Sequence, residues 1–246
     1  PDSGAGAWEV LRDLAREIHD DELLVESLSG LSRTADLPPE ESAQNTLEQA
    51  VALGLRLGRP QEAAALLDRL VEADPNHRAA LSYRALVFER AGLWLDAAAS
   101  VEAWAGAETD PEALALALRK LARISHEHLG DSARAFELYQ GVLETDARDI
   151  EALEFVANAY NTAQDWAALA LVQTTLVELA PGRHERIARL TALATTQDEH
   201  LADTEAAFYT VCQLVLENPR EERFLARFVQ LADATEGWEE AGHVVE

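Results

Sequence analysis

The sequence contains few of the residues on which covalent cross-links or membrane-embedded structure depend. It has 246 residues, one cysteine and no methionine. A single cysteine excludes a disulfide within the chain. Cys212 lies in an apolar stretch with helical spacing, which predicts a packed core thiol. No apolar run approaches the roughly 18 residues of a membrane-spanning helix, so we expect no membrane span.

Basic residues are also scarce. The chain carries 45 acidic and 20 basic residues, a net charge of −25, and Lys120 is its only lysine. Such a surface repels phosphate backbones, so we expect no binding to nucleic acid. The charge favours solubility, or the long-range attraction of a basic partner. We expect a soluble protein, with the cytoplasm as the favoured compartment.

Catalytic and metal-binding patterns are missing as well. The sequence has no Gly-x-Ser-x-Gly elbow, no glycine-rich phosphate loop and no His-Glu-x-x-His segment. His126 and His128 are two positions apart, so on a helix they diverge instead of meeting at one ion. Neighbouring carboxylates such as Glu40 and Glu41 are typical of acidic helix surfaces. We therefore expect no enzymatic activity, no metal and no cofactor.

What the sequence does contain is an internal repeat with a period of 72 positions. Trp94, Trp166 and Trp238 are spaced at this interval. A residue that recurs in every repeat is typical of a packing position, so we predict that these tryptophans and Trp8 are core residues, each at the start of a second helix. Further landmarks share the interval: Gly58 and Gly130, His128 and His200, Phe136 and Phe208, Leu153 and Leu225, and Asp74 and Asp146.

Each repeat unit divides into two helix hairpins of about 36 residues. In residues 77–106, Gly92 ends one helix, and Trp94, Ala97 and Val101 give the next helix an apolar face with a period of 3.6. Asp110 followed by Pro111 opens the following hairpin. The predicted helices pair as 40–57 with 60–73, 111–128 with 131–145, 149–163 with 165–179, 184–199 with 202–217, and 221–235 with a helix from Trp238.

The N-terminal region is less regular. Trp8 begins a predicted helix over 7–19, an orphan second helix, and a further helix over 21–35 ends before Pro38. Trp8 lies 50 positions before Gly58, whereas Trp94 lies 36 positions before Gly130, and the difference indicates an insertion of about 14 positions. Neither end has the polar capping repeat that a helical array needs, so we expect the chain to be a piece of a longer one.

The hairpin pattern resembles the tetratricopeptide-repeat (TPR) family, in which small residues occupy helix crossings and each helix carries an aromatic residue. The resemblance implies an all-α, right-handed α-solenoid of stacked antiparallel helix hairpins. The mean period of about 36, against 34 in the family, leaves a HAT-like or mixed helical repeat as an alternative. The double hairpin resembles long TPR arrays of bacteria. The match is best over 149–181, at Leu153, Val156, Ala157, Tyr160, Trp166 and Pro181.

We accordingly divide the chain into irregular N-terminal helices over 1–39 and TPR-like repeats over 40–246. The N-terminal part combines a partial repeat with the insertion. The last repeat is cut short by the end of the chain. The repeats are predicted at 40–75, 76–110, 111–147, 148–182, 183–219 and 220–246.

One helix differs from the acidic background. Arg119, Arg123 and His126 share a face of the predicted helix 111–128. The resemblance implies that the first helix of each hairpin lines a concave groove, where the next first helix would place Glu154, Asn158 and Asn161. Together these six residues form a candidate site for a peptide that bears a carboxylate. The alternative is that Arg123 pairs with Glu127 and the remainder is ordinary surface.

These observations favour a protein-interaction scaffold that binds a peptide or a partner helix in a concave groove. Three alternatives stay open. The chain is a regulatory or substrate-recruiting array of a larger enzyme, or a HAT-like RNA-processing scaffold, or a module that self-associates through its uncapped ends. The sequence identifies neither the partner nor the pathway.

Overall fold

The computed structural model describes residues 4–238 and residue 242, and within them all regular structure is helical. The fold class predicted from the sequence is therefore confirmed in its all-α character. The α-helices are α1 (Ala5–Ile18), α2 (Asp21–Thr34), α3 (Pro39–Val51), α4 (Pro60–Ala73), α5 (Arg78–Arg90), α6 (Trp94–Ala107), α7 (Pro111–Glu127), α8 (Ser132–Thr145), α9 (Ile150–Ala163), α10 (Trp166–Glu178), α11 (Arg183–Thr195), α12 (Thr204–Glu217) and α13 (Glu222–Thr235).

The helices follow the same period as the sequence landmarks. Helices α3, α7 and α11 begin at residues 39, 111 and 183. Helices α4, α8 and α12 begin at 60, 132 and 204, and α5, α9 and α13 begin at 78, 150 and 222. The double hairpin is thus a property of the backbone as well as of the sequence.

The helix ends repeat with the same interval, and the backbone explains why. The long first helices end in an i→i−5 hydrogen bond, with Leu57 N–H donating to Ala52 O (3.0 Å) and Leu201 N–H to Thr196 O (3.1 Å). Residues 52–56 and 196–200 accordingly form π-helical turns that extend α3 and α11. The residue that reverses the chain has positive φ, and it is Gly58, Gly130 and then Ala202 in successive repeats.

Aspartates begin many of the helices. The side chains of Asp110, Asp149, Asp165 and Asp203 each accept a hydrogen bond from the backbone N–H three residues ahead. This bond pairs one of the N–H groups that a helix leaves free at its N-terminus, and the negative charge lies at the positive end of the helix dipole. These four aspartates therefore define helix boundaries.

The N-terminal helices differ from the prediction. Helix α1 begins at Ala5, so Trp8 lies in its first turn instead of at its start, and α1 packs against α2. Helix α1 also ends in a left-handed residue, His19, as α9 ends in Gln164. Helices α1 and α2 therefore pack as a hairpin, which the predicted orphan second helix over 7–19 did not include.

The chain forms two compact units, residues 1–138 and 139–246. The first unit has apolar clusters around Leu67 and around Val101. The second unit is built around Phe208 and Phe228 and includes Cys212, which is 7% exposed. Burial raises the pKa of the Cys212 thiol, so it packs as a neutral group. The division into two compact units does not test the boundaries of the six predicted repeats, so those boundaries stay a prediction.

The recurrent tryptophans lie at the edge of the core rather than inside it. Trp8, Trp94 and Trp166 are half-buried, and Trp238 is 50% exposed. A Cβ atom at Gly30 would overlap the indole of Trp8, so that glycine gives the ring its room. These tryptophans are predicted from the sequence as core residues, and Trp8 and Trp94 pack against buried clusters of the first unit as partly buried side chains. The helix predicted from Trp238 extends over residues outside the described part of the chain.

Candidate functional site

The second unit contains a groove of about 560 Å³ between α9, α10 and α11. Its volume is in the range of sites that bind small ligands or peptide segments. Helices α9 and α11 are first helices of consecutive hairpins, and α10 forms the base. The lining residues are Ala157, Asn158, Asn161, Trp166, Leu169, Gln173, Ala188, Thr191, Ala192, Thr195, Thr196 and His200.

Small side chains keep this groove open. Ala157 of α9 and Ala188 and Ala192 of α11 line the groove, so no long side chain fills it at these three positions. The hydroxyl of Thr191 donates to Ile187 O (2.7 Å), and that of Thr195 donates to Thr191 O (3.0 Å). Because each hydroxyl proton is used within α11, both threonines offer methyl groups and acceptor lone pairs to the groove.

Three side-chain amides supply most of the polar groups. Asn158 and Asn161 are exposed on adjacent turns of α9, and within the described residues their side chains make no hydrogen bond. Gln173 of α10 has its Oε1 atom buried without a hydrogen-bond partner in the same part of the chain. A buried acceptor without a partner is costly, and a bound donor would remove that cost.

An aromatic pair closes one end of the groove. The ring of His200 stacks on Trp166 with the centroids 3.8 Å apart and the planes within 8°. His200 ends the π-helical turn of residues 196–200. In the first unit His128 stacks on Trp94 at 3.4 Å and 3°. The stack is therefore a structural feature of both units. In the second unit its two rings also line the groove.

Carboxylates are missing from the lining residues, although the chain is strongly acidic. The nearest predicted candidate, Glu154, pairs with Arg189 at 3.0 Å. Arg189 also pairs with Glu185 at 2.8 Å and donates to Leu176 O at 2.7 Å, and its side chain is only 13% exposed. Glu154 and Arg189 thus connect α9 to α11, and the groove between them is lined by uncharged groups.

The other predicted residues lie in the first unit. Arg119, Arg123 and His126 are on α7, and His126 Nδ1 lies 3.0 Å from Ser132 Oγ. Arg119 and Arg123 precede Thr191 and Thr195 by one full period, so they hold the positions that line the groove in the second unit. Because these residues belong to a different compact unit from Glu154, Asn158 and Asn161, the predicted site that combines all six stays a prediction.

In the first unit an ion pair spans the equivalent of the groove. Lys120 Nζ of α7 lies 3.0 Å from Glu89 Oε1 of α5. These residues precede Ala192 and Asn161 by 72 positions. The charged bridge of α5 and α7 is therefore replaced by an alanine and an amide in α9 and α11.

The sequence prediction included Asn158 and Asn161 but missed Gln173, Thr191 and Thr195. A signal for them was present in the repeat. Large or charged residues of one copy, such as Lys120, become small ones such as Ala192 in the next. Differences between copies mark this groove more clearly than any motif does.

The described residues lack two features that would bear on function. No group of three or more histidine, cysteine, aspartate or glutamate side chains there could hold a metal ion. Among those same residues no helix is long and apolar enough to cross a membrane.

Comparison with known proteins identifies the fold. No protein-family model matches the chain, and a search of curated proteins finds no match. The chain is similar to a tetratricopeptide repeat protein from Parabacteroides merdae (15% identity, 93% of each chain, TM-score 0.54) and to the C-terminal part of a TPR repeat-containing protein from Cytophaga hutchinsonii (13% identity, 92% of this chain and 88% of that one, TM-score 0.56).

A structure of Naa15/Naa10 bound to HypK-THB contains a third similar chain. The identity is 14% and the TM-score 0.58, and the match covers 98% of this chain and 35% of that one. At such identities the likeness establishes the fold alone. The fold is an all-α, TPR-like helical repeat of the solenoid class, as the sequence resemblance implied.

Proposed function

We propose that the protein is an interaction module that binds an extended segment of another protein in the groove between α9 and α11. The observation that supports this most is the set of amides without internal partners: Asn158, Asn161 and the buried Oε1 of Gln173. A groove of about 560 Å³ with such groups offers binding energy that the folded chain itself does not use.

An extended segment suits these groups better than a helix does. The backbone N–H and C=O groups of an extended chain are unpaired, and side-chain amides can both donate to and accept from them. A helix has already paired most of those groups internally. Asn158 and Asn161 lie on successive turns of α9, so they can contact consecutive peptide units of one bound strand.

The proposal is tested with a phage-displayed library of random octapeptides selected on the whole chain. The affinity of an enriched peptide is then measured by fluorescence anisotropy. Replacing both groove amides, Asn158→Ala with Asn161→Ala, should weaken binding about tenfold or more, because two hydrogen bonds are lost. The matched control is Gln140→Ala with Gln213→Ala, which removes two exposed amides from α8 and α12. Equal affinities for all three chains, or no enrichment, would refute the proposal.

Nucleic acid is a poor candidate for the partner. Arginines that could contact phosphate are paired within the protein, as Arg78 is with Glu108 (2.8 Å) and Arg134 with Glu102 (2.8 Å). Binding to RNA would have to break such pairs against a net charge of −25. We expect no retention of RNA in a filter-binding assay at low salt. Retention that falls steeply with salt would favour the RNA-scaffold alternative instead.

A further inference from the structure

A second, smaller cavity lies on the other side of α11. It has a volume of about 220 Å³ and is formed by α11 and α13 over α12. Thr191 and Thr195 of α11 line both this cavity and the groove. The cavity and the groove are therefore adjacent and share these two side chains. Its apolar walls are formed by Ala194, Val211, Leu214, Phe224 and Leu231.

The cavity has the size of one large apolar side chain. An apolar cavity of about 150 Å³ in another protein binds benzene. A volume of about 220 Å³ therefore accommodates the side chain of leucine or phenylalanine. Leu214 and Leu231 are 2% exposed and Phe224 is 5% exposed, so the walls belong to the packed core and are held in place.

Two arginines at the mouth of this cavity are paired with carboxylates of the protein, and Glu199 also lines it. Arg227 of α13 forms an ion pair with Asp198 of the π-helical turn and donates to Gln230 Oε1 at 3.0 Å. Arg223 lies 3.3 Å from Glu221 and 4.9 Å from the centroid of the Phe224 ring. Since each arginine already has a carboxylate, an acidic side chain entering the cavity would lose its hydration without gaining a partner.

We infer that the bound segment is uncharged where it lies in the groove and carries one large aliphatic or aromatic side chain that enters the cavity between α11 and α13. This inference rests on the proposed function. The amides of the groove contact the backbone of the segment, whereas the cavity selects one side chain. The net charge of −25 attracts a basic partner at long range, so any basic residues of that partner would lie outside the bound segment.

The inference is tested with five variants of the enriched octapeptide, in which the anchor position carries Leu, Phe, Ala, Lys or Glu. For the unaltered protein, Leu or Phe should bind about tenfold or more tightly than Ala, Lys and Glu. Ala194→Leu fills the cavity and should abolish this preference. Asn158→Ala with Asn161→Ala should weaken all five peptides equally and keep the preference.

A second cavity variant covers the case in which Ala194→Leu disturbs folding. Leu214→Ala enlarges the cavity and should shift the preference from Leu towards Phe. Affinities that do not depend on the anchor residue would overturn the inference. An anchor preference that is unchanged in both cavity variants would overturn it as well. If the groove amides matter but no anchor preference exists, only this inference fails. If no octapeptide is enriched, the proposed function fails with it.

Discussion

The contact between α5 and α7 and the contact between α9 and α11 use the same repeat positions for different purposes. In the first unit, Glu89 and Lys120 form an ion pair 3.0 Å long between the two helices. In the second unit, Asn161 and Ala192 hold those positions and border an open groove. Helix packing is therefore preserved from one repeat to the next, whereas the side-chain chemistry between the helices changes.

The N-terminal hairpin gives a third version of the same contact. His19 ends α1 as Gln164 ends α9, which makes Arg16 the counterpart of Asn161. Arg16 Nε donates to Glu48 Oε1 at 2.9 Å, and this hydrogen bond raises the pKa of the arginine further. The polarity of this bridge is opposite to that of Glu89 and Lys120. A bridge of either polarity connects the helices at these positions, whereas in the second unit the ion pair between α9 and α11 lies at Glu154 and Arg189 instead.

Removing either tryptophan–histidine stack should have the largest effect on the free energy of unfolding. Equal effects would show that the two units use the stack in the same way. Trp94→Ala and Trp166→Ala should each lower the free energy of unfolding by about 2–3 kcal/mol, because each removes a half-buried ring and its stack on histidine. Urea denaturation followed by circular dichroism measures both. A large loss for one variant and none for the other would show that the stacks are not equivalent.

The chain reversals at Gly130 and Ala202 should respond in opposite directions. Both residues have positive φ, +70° and +52°, and no atom would contact a Cβ atom at Gly130. Gly130→Ala should therefore destabilise by about 1 kcal/mol through backbone strain alone. Ala202→Gly should stabilise by about 0.5–1 kcal/mol, since it relieves the strain already present in the second unit. Thermal melts that shift in the same direction for both variants would contradict this account.

Opening the bridge of the first unit should have a smaller effect. The double variant Glu89→Asn with Lys120→Ala gives the first unit the residue types that Asn161 and Ala192 have in the second. The side chains are 20% and 28% exposed, so the loss should be about 1 kcal/mol or less. Differential scanning calorimetry checks this. A loss of several kcal/mol would mean that the bridge is an essential part of the packing, and its absence between α9 and α11 would then need another explanation.

The smallest expected difference between the two units is in how the free energy of unfolding depends on acid pH. Backbone N–H donors of Asp110 and Thr109, with Arg78, lower the pKa of Glu108 from 4.5 to about 2. A lowered pKa stabilises the folded state above pH 4.5, and that contribution is lost as the pH falls from 4.5 towards 2. Ala180 holds the equivalent position one period later, so this effect belongs to the first unit.

The measurement is the free energy of unfolding at pH 7, 4.5 and 3 for the unaltered chain and for Glu108→Gln. The substitution should lower stability at pH 7 and 4.5, and the two chains should approach one another at pH 3. The matched variant Ala180→Gln should show no such convergence. If the free energies of unfolding of Glu108→Gln and the unaltered chain differ by the same amount at all three pH values, Glu108 does not contribute to the loss of stability in acid.

Much of the fold could be predicted from the sequence because the repeat supplies independent copies of the same signal. The predicted helix 60–73 coincides with α4, and the predicted 111–128 differs from α7 by one residue. The π-helical turns at 52–56 and 196–200 were not predicted, since a single i→i−5 bond leaves no mark in the apolar pattern. The sequence pattern does not predict the hairpin of α1 with α2, because Trp8 resembles the tryptophans that begin second helices.

The candidate site was harder to predict. Periodicity locates the face of a helix, which is how Asn158 and Asn161 were found. It does not determine how deep the space beside that face is, because depth depends on side chains of other helices such as Gln173 and Thr191. The stack of His200 on Trp166 likewise joins residues 34 positions apart through a turn that the sequence pattern does not specify.

We propose that the groove between α9 and α11 binds a partner because no ion pair joins positions 161 and 192, where Asn161 and Ala192 line it. The most direct measurement is the affinity of the enriched octapeptide for a chain with Asn161→Glu and Ala192→Lys, which rebuilds the bridge of the first unit. The control is Gln140→Glu with Gln213→Lys, which adds the same charges on exposed faces of α8 and α12. We predict that the dissociation constant rises about tenfold or more for the rebuilt bridge and stays unchanged for the control. An unchanged affinity in the folded bridge variant would contradict the claim.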